Sequence, residues 1–188
     1  MAEERWEKQT LKLTEPHGWH AKAGYNVFVA DRGAVRFDIP ETWLIKPDSK
    51  TIKFHDREPP DDDCTLALTV MRLPPADWSG VPVAGLVARL VEADERPCVT
   101  GRGEIVVAKR AEIDLAWAEV RFNDPTQGDR PARSRIGLAR ASNVQPLITF
   151  DFWEDDAARF VPVWDEILRS LRVAEPILDP RLGQPNRG

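Results

Sequence analysis

The run Cys64-Thr-Leu-Ala-Leu-Thr-Val-Met-Arg-Leu73 sends Leu66, Leu68 and Val70 to one side of an extended chain and Thr65, Ala67 and Thr69 to the other. A period of two separates these sets, whereas a helix would scatter both around its axis. The alternation recurs. Val35, Phe37 and Ile39 alternate with Arg36 and Asp38 until Pro40, which has no N–H for a ladder. Trp43 to Ile45 and Ile52 to Phe54 flank the turn Pro47-Asp48-Ser49-Lys50, so a hairpin is expected over 43–55. Further strands are expected over 104–110, 113–122, 132–141 and 146–153.

Two segments follow a different period. After Pro82, residues Val83, Leu86, Val87, Leu90 and Val91 recur at spacings of three and four, which predicts a helix over 82–94. Glu154-Asp155-Asp156 supplies a cap and favourable charge for a closing helix carrying Phe160, Trp164, Ile167, Leu168 and Leu171. Pro162 falls inside that pattern, so a kink or a late start of the regular helix is expected there. Arg169 and Arg172 suit its C-terminus. Strands, helix, strands, helix without strict alternation predict an α+β fold. Its form is a single antiparallel sheet of about six or seven strands flanked by helices, closed by a C-terminal amphipathic helix. Val35, Phe37, Leu66, Leu68, Val120, Phe150 and the stripe of the last helix are expected on one packed face.

The 188 residues suit one domain. Residues 1–18 read as a polar arm able to add an edge strand through Leu11 and Leu13, residues 19–174 as the domain, and residues 175–188 as a Pro/Gly-rich tail that ends the ordered part. No window is apolar over the roughly 18 residues a spanning helix needs, so no membrane partner is expected. The opening twenty residues lack the apolar core of a secretory signal, and a cytoplasmic location is expected. There Cys64 and Cys98 stay reduced. A net charge of −5 argues against nucleic acid, whose affinity comes from clustered Lys and Arg.

The residues Phe37-Asp-Ile-Pro-Glu-Thr-Trp43, a strand closed by proline and followed by tryptophan, resemble the opening of PsbP/Mog1-like domains. The segment Phe160 to Val173, ending ILRSLRV, is similar to their terminal helix. The resemblance spans about residues 24–173 in order of elements. It implies an antiparallel sheet with helices on its faces and members that mostly act by binding proteins, as photosystem extrinsic subunits and a small-GTPase cofactor do. The transit or lipoprotein leader of the exported branch is not matched, nor are the partner-contacting residues of the GTPase-binding branch. Helix-grip ligand-binding folds are the structural rival.

Candidate chemistry is sparse. The loop His55-Asp-Arg-Glu-Pro-Pro-Asp-Asp-Asp63 reads as a solvated surface; if it held a cation, Asp61 and Asp63 would be first choices. His17 and His20 lack a third ligand nearby, so no metal site is assigned. Cys64 reads as a small buried apolar residue. Gly101-Arg102-Gly103 precedes a strand instead of a helix and lacks the Lys-Ser/Thr of a phosphate loop, so it reads as a turn. No catalytic residues and no cofactor are assigned. Tryptophan is plentiful, with seven residues. Trp43 and Trp164 are expected in the core. Trp117 and Trp153 fall opposite the apolar faces of their strands, with Arg121, Arg133, Arg135 and Asp151, either as an interaction surface or as a second core layer under a helix or the arm.

A non-enzymatic binding or adaptor protein is therefore expected, its partner another protein or a second copy. On that reading Trp153→Ala and Arg135→Ala keep the fold and weaken the partner. The alternative is a small-molecule domain or minor enzyme with an apolar pocket beneath Trp164 and Phe160.

Overall fold

Each alternating segment becomes a strand, and hydrogen bonding sorts the strands into two sheets. The structure is a computed structural model that describes residues 6–96, 98–110 and 112–183. Its strands are β1 (Tyr25–Ala30), β2 (Val35–Pro40), β3 (Leu44–Pro47), β4 (Ile52–His55), β5 (Cys64–Arg72), β6 (Val99–Arg102), β7 (Val106–Lys109), β8 (Asp114–Asp124), β9 (Arg130–Arg140), β10 (Val144–Trp153) and β11 (Arg172–Val173). Its helices are α1 (Val83–Glu92) and α2 (Ala157–Ser170). The main sheet runs β3-β4-β5-β10-β9-β8, with β6 and β7 both on the outer side of β8; a smaller sheet is β1-β2-β11. Every pairing between these strands is antiparallel.

The α+β fold with its antiparallel sheet and closing helix is the expected one. Two features extend it. Val35 to Pro40 leaves the main sheet, because β1 pairs along its whole length on one side and the chain emerging from α2 adds Arg172 and Val173 on the other. The outer strand expected over 104–110 is preceded by β6, so Gly101 and Arg102 lie in a strand and not in a turn. Gly103 still donates its N–H to the Glu119 carbonyl at 2.7 Å. A side chain there would crowd that strand, since a Cβ would lie 3.1 Å from the same oxygen.

One face of the main sheet carries both the small sheet and α2. Over β4 and β5 lies the small sheet, with Phe28 edge-on to Phe54 at 4.8 Å and Phe37 at 5.7 Å. Over β8 to β10 lies α2, whose Trp164 and Phe160 are fully packed against Phe150. Trp164 can sit this low because Gly137 is beneath it: a Cβ there would be 3.1 Å from the indole rim. Pro162 lies within α2, which continues across it as one helix.

The opposite face carries α1, with the Trp78–Val81 segment over Arg140 and Arg96 over Phe122 beside it. Val83, Val87 and Val91, spaced four apart, are buried on Ala116, Ala118, Val120, Ile136 and Leu138. Each buried valine contributes about 1.5–3 kcal/mol. Val120 thus does not share the face of Phe150, as the sequence led us to expect. It pairs with Ser134, which pairs with Asp151, so these three point toward the α1 side while Phe150 pairs with Arg135 on the α2 side.

The first and last described segments are tied in. Residues 6–18 form no strand through Leu11 and Leu13; instead Trp6 packs on the core, and Thr14 N–H donates to the Arg181 carbonyl at 2.8 Å. The segment after 174 does not end the packed chain. Ala174, Glu175 and Ile177 donate to the carbonyls of Ala34, Gly33 and Arg32 at 2.9, 3.0 and 2.9 Å, and Ile177 is buried. Gly33, at φ 97°, is the residue this crossing demands, since a Cβ would lie 2.0 Å from the Glu175 oxygen.

Candidate functional site

Because α1 lies over β8 and β9 only, the part of its face formed by β10, β5 and β4 is open. Antiparallel register draws rows straight across it. One row runs Lys53, Ala67, Thr149 and then Ile136 under the helix. A neighbouring row holds Thr69 and Leu147, with the Thr69 hydroxyl 3.1 Å from that of Thr51. Ala67, Thr69, Leu147 and Thr149 are all partly exposed. Lys46 stands directly opposite Lys53, although like charges in that position repel; Lys46 is paired with Glu58.

The row His55, Thr65, Asp151, Ser134 makes a polar belt across one end of this surface. His55 Nδ1 is 2.8 Å from Asp62 Oδ2, and the Thr65 hydroxyl donates to the same oxygen at 3.0 Å. A carboxylate only accepts, so Nδ1 is the donor in this contact. Sequence reasoning passed over this cluster. Its signal is Pro59-Pro60 between β4 and β5, a loop short enough to fold Asp62 back onto the strand it follows.

Asp151 accepts from the Ser134 hydroxyl at 2.5 Å and from Arg96 Nη1 at 3.4 Å. Arg96 lies over the Phe122 ring at 4.9 Å, and its backbone N–H donates to Asp94 at 3.0 Å. Nearly half of the Asp151 side chain meets solvent, yet it is recessed on the sheet floor. Desolvation therefore raises its pKa, with Asp94 adding to the rise and Arg96 and Ser134 opposing it. A carboxyl raised in the folded state favours folding below its unfolded pKa, and that benefit is lost as pH rises through the folded pKa. Asp151→Asn is thus expected to melt no higher than the wild type at acid pH and progressively higher than it as pH rises above the ordinary aspartate range. A melting-temperature difference that stays flat with pH would contradict this.

The six residues singled out from the sequence are split between two faces. Asp151 and Trp153 lie on the α1 side, Trp153 beneath Arg130 at 4.4 Å. Trp117, Arg121, Arg133 and Arg135 lie on the α2 side. There Trp117 meets Trp164 edge-on at 5.8 Å, and Arg135 is buried over Trp117 at 4.9 Å and Phe152 at 5.8 Å. Glu119 gathers the arginines, at 3.0 Å from Arg135, 3.3 Å from Arg121 and 3.5 Å from Arg133. Arg133 also holds Glu154, whose carboxyl is pulled below its ordinary range by that hydrogen bond.

In the acidic loop, Asp56 is buried and accepts from the N–H groups of Asp63 and Cys64 and from Arg159. Asp63 is held by Arg159 at 3.0 Å and by Arg57, so its carboxylate closes the loop onto α2. Among the described residues no group of three His, Cys, Asp or Glu side chains is placed to hold a metal ion. Cys64 is buried, and desolvation pushes its thiol pKa far up, the opposite of what a nucleophile needs. Cys98 is exposed and also free. Two clefts, of about 200 and 350 Å³, lie beside Arg110 and Ile113, the first under Leu171 and Val173 and the second by Trp78 and Arg140. Neither lies beneath Trp164 and Phe160, which are 0% and 1% exposed.

Solved structures that share the fold include two with described roles. The cyanobacterial PsbP protein CyanoP of Synechocystis sp. PCC 6803 superposes with a TM-score of 0.53 at 15% identity, over 83% of this chain and 96% of that one. The Ran-binding protein Mog1p of Saccharomyces cerevisiae gives 0.51 at 8%, over 79% and 95%. The PsbP/Mog1-like fold is therefore that of this chain. Similarity in sequence is stronger elsewhere: the uncharacterised protein alr1449 of Nostoc sp. PCC 7120 is 45% identical over 179 residues, 95% of this chain and 93% of that protein. With the Alr1449 family profile also matching residues 26–177, the chain belongs to the Alr1449 family.

Proposed function

We propose that this chain is a non-enzymatic binding module that engages another protein through the open part of its sheet, with Ala67, Thr69, Leu147 and Thr149 at the centre and the His55 to Ser134 belt at one end. One observation carries the reading. The main sheet carries α2 and the small sheet on one face, whereas on the other α1 lies over β8 and β9 and leaves Ala67, Thr69, Leu147 and Thr149 of β5 and β10 partly exposed. On such a surface the methyl groups of Ala67, Leu147 and the threonines offer apolar area to a partner, and the threonine hydroxyls supply hydrogen bonds. That Mog1p is a Ran-binding protein agrees with a protein partner at the level of fold only. One buried and one exposed free thiol suit a reducing, cytoplasmic setting.

Ala67→Arg and Thr149→Arg place a long charged side chain on this surface without entering the core. Both are expected to melt within about 2 °C of the wild type, as surface changes do. Both should lose the proteins that wild-type bait retains from the native cell extract. Equal retention by wild type and both variants refutes the reading.

A further inference from the structure

The edge of a sheet presents unpaired N–H and C=O groups, and chains guard such edges with charge, proline or short strands. The main sheet has two edges. At one, β3 carries Lys46 and ends on Pro47. At the other, β7 ends on Lys109 but opens with three uncharged residues, Val106-Val107-Ala108, and has no proline. Val106 is 42% and Val107 58% exposed, on opposite faces of the sheet. Pairing with β8 uses alternate backbone groups of β7 and leaves the others turned outward.

We propose that β7 pairs antiparallel with β7 of a second copy about a twofold axis at Val107, joining two main sheets into one. The register follows from symmetry. A twofold axis normal to the sheet keeps each face continuous, so a residue can only meet one of its own face parity. Centring the axis on Val107 sets the most exposed apolar residue of the edge against itself and Val106 against Ala108 of the second copy. It also sets Glu104 against Arg110 of the second copy, both on the α2 side.

That last pairing supplies the complementarity. Arg110 donates to the carbonyls of Leu171 and Arg169 at the end of α2, where Arg172 also converges. Among the described residues Arg110 has no carboxylate within 4.0 Å, and its pKa is lowered by burial and then by the repulsion of Arg172 and Arg169. Glu175, in the same cleft, is taken by Arg36 at 3.1 Å and Arg172 at 3.8 Å, and Glu112 also lines it. An exposed Glu104 arriving from a second copy brings negative charge to a corner with three guanidinium groups.

The test uses the full chain. Sedimentation velocity across a concentration series is expected to show a monomer–dimer equilibrium. Val107→Lys, which sets two ammonium groups on the axis, should raise the dissociation constant about tenfold or more. In a Cys98→Ser background, Val107→Cys should give a covalent dimer under oxidised glutathione, because opposed residues lie within disulfide reach. Val106→Cys should not, since its own counterpart is displaced by two residues and lies beyond about 7 Å. All three positions are on the surface, so melting temperatures should be unchanged. A monomer at all concentrations, a dimer indifferent to Val107→Lys, or equal cross-linking through residues 106 and 107 overturns the proposal.

Discussion

Trp164→Ala is expected to lower unfolding free energy by about 3–5 kcal/mol in urea denaturation, the range for deleting a fully buried indole. The loss is large because the ring fills a space that three elements shape together. Gly137 lets it touch the backbone of β9, Trp117 meets its edge, and Phe150 stacks nearly parallel to it at 6.3 Å. None of these can move inward without abandoning its strand register, so the cavity stays open. Gly137→Val should show the converse defect, about 1–3 kcal/mol from overpacking at the same contact. Combining the two should recover part of the loss, because the added methyls then occupy vacated volume. Full additivity would mean that the indole and the glycine do not define one site.

Arg135→Ala is expected to destabilise the fold by about 3 kcal/mol, since removing one partner of a buried pair strands the other. Glu119 would keep only Arg121 and Arg133, both farther away than Arg135 and partly solvated. This replaces the expectation drawn from sequence that the arginine could be removed without harm to the fold. Glu119→Ala should cost a similar amount by leaving Arg135 with two aromatic faces and only the exposed Asp165 carboxylate, 4.0 Å away. The double replacement Glu119→Leu with Arg135→Met should cost less than either single change, because two like-sized apolar side chains suit a site walled by Trp117 and Phe152. A double-mutant cycle in chemical denaturation measures the coupling. Trp153→Ala, by contrast, removes a half-exposed ring stacked on Arg130 and should stay within about 0.5 kcal/mol.

What could be read from sequence and what could not differ for a physical reason. The valines of α1 and the turn at Pro47 to Lys50 are local signals, and both elements stand where they were expected. Alternation along one strand is also local: Trp117 does lie opposite Val120, and Trp153 opposite Phe150. The relation between two strands is set by register, which depends on pairings up to dozens of residues apart. Trp117, Gly137 and Ile148 align across β8, β9 and β10, so the tryptophan of β8 joins the apolar set of β10. No pattern inside either strand announces that. The separate sheet of β2 was hidden likewise, because Val35 to Pro40 alternates like any other strand and its partner Val173 lies at the far end of the chain. Of the candidate site, Asp151 was picked out, whereas the open floor around Thr149 emerges only once α1 is seen to cover two strands.

The two residues of β11 have a bearing on synthesis. Translation delivers β1, β2 and β4 early, so that Phe28 and Phe37 can meet Phe54, yet the small sheet gains its third strand only when Arg172–Val173 has emerged. The outer side of β2 therefore stays an open edge for nearly the whole chain, and the domain can complete its core only near the end of translation.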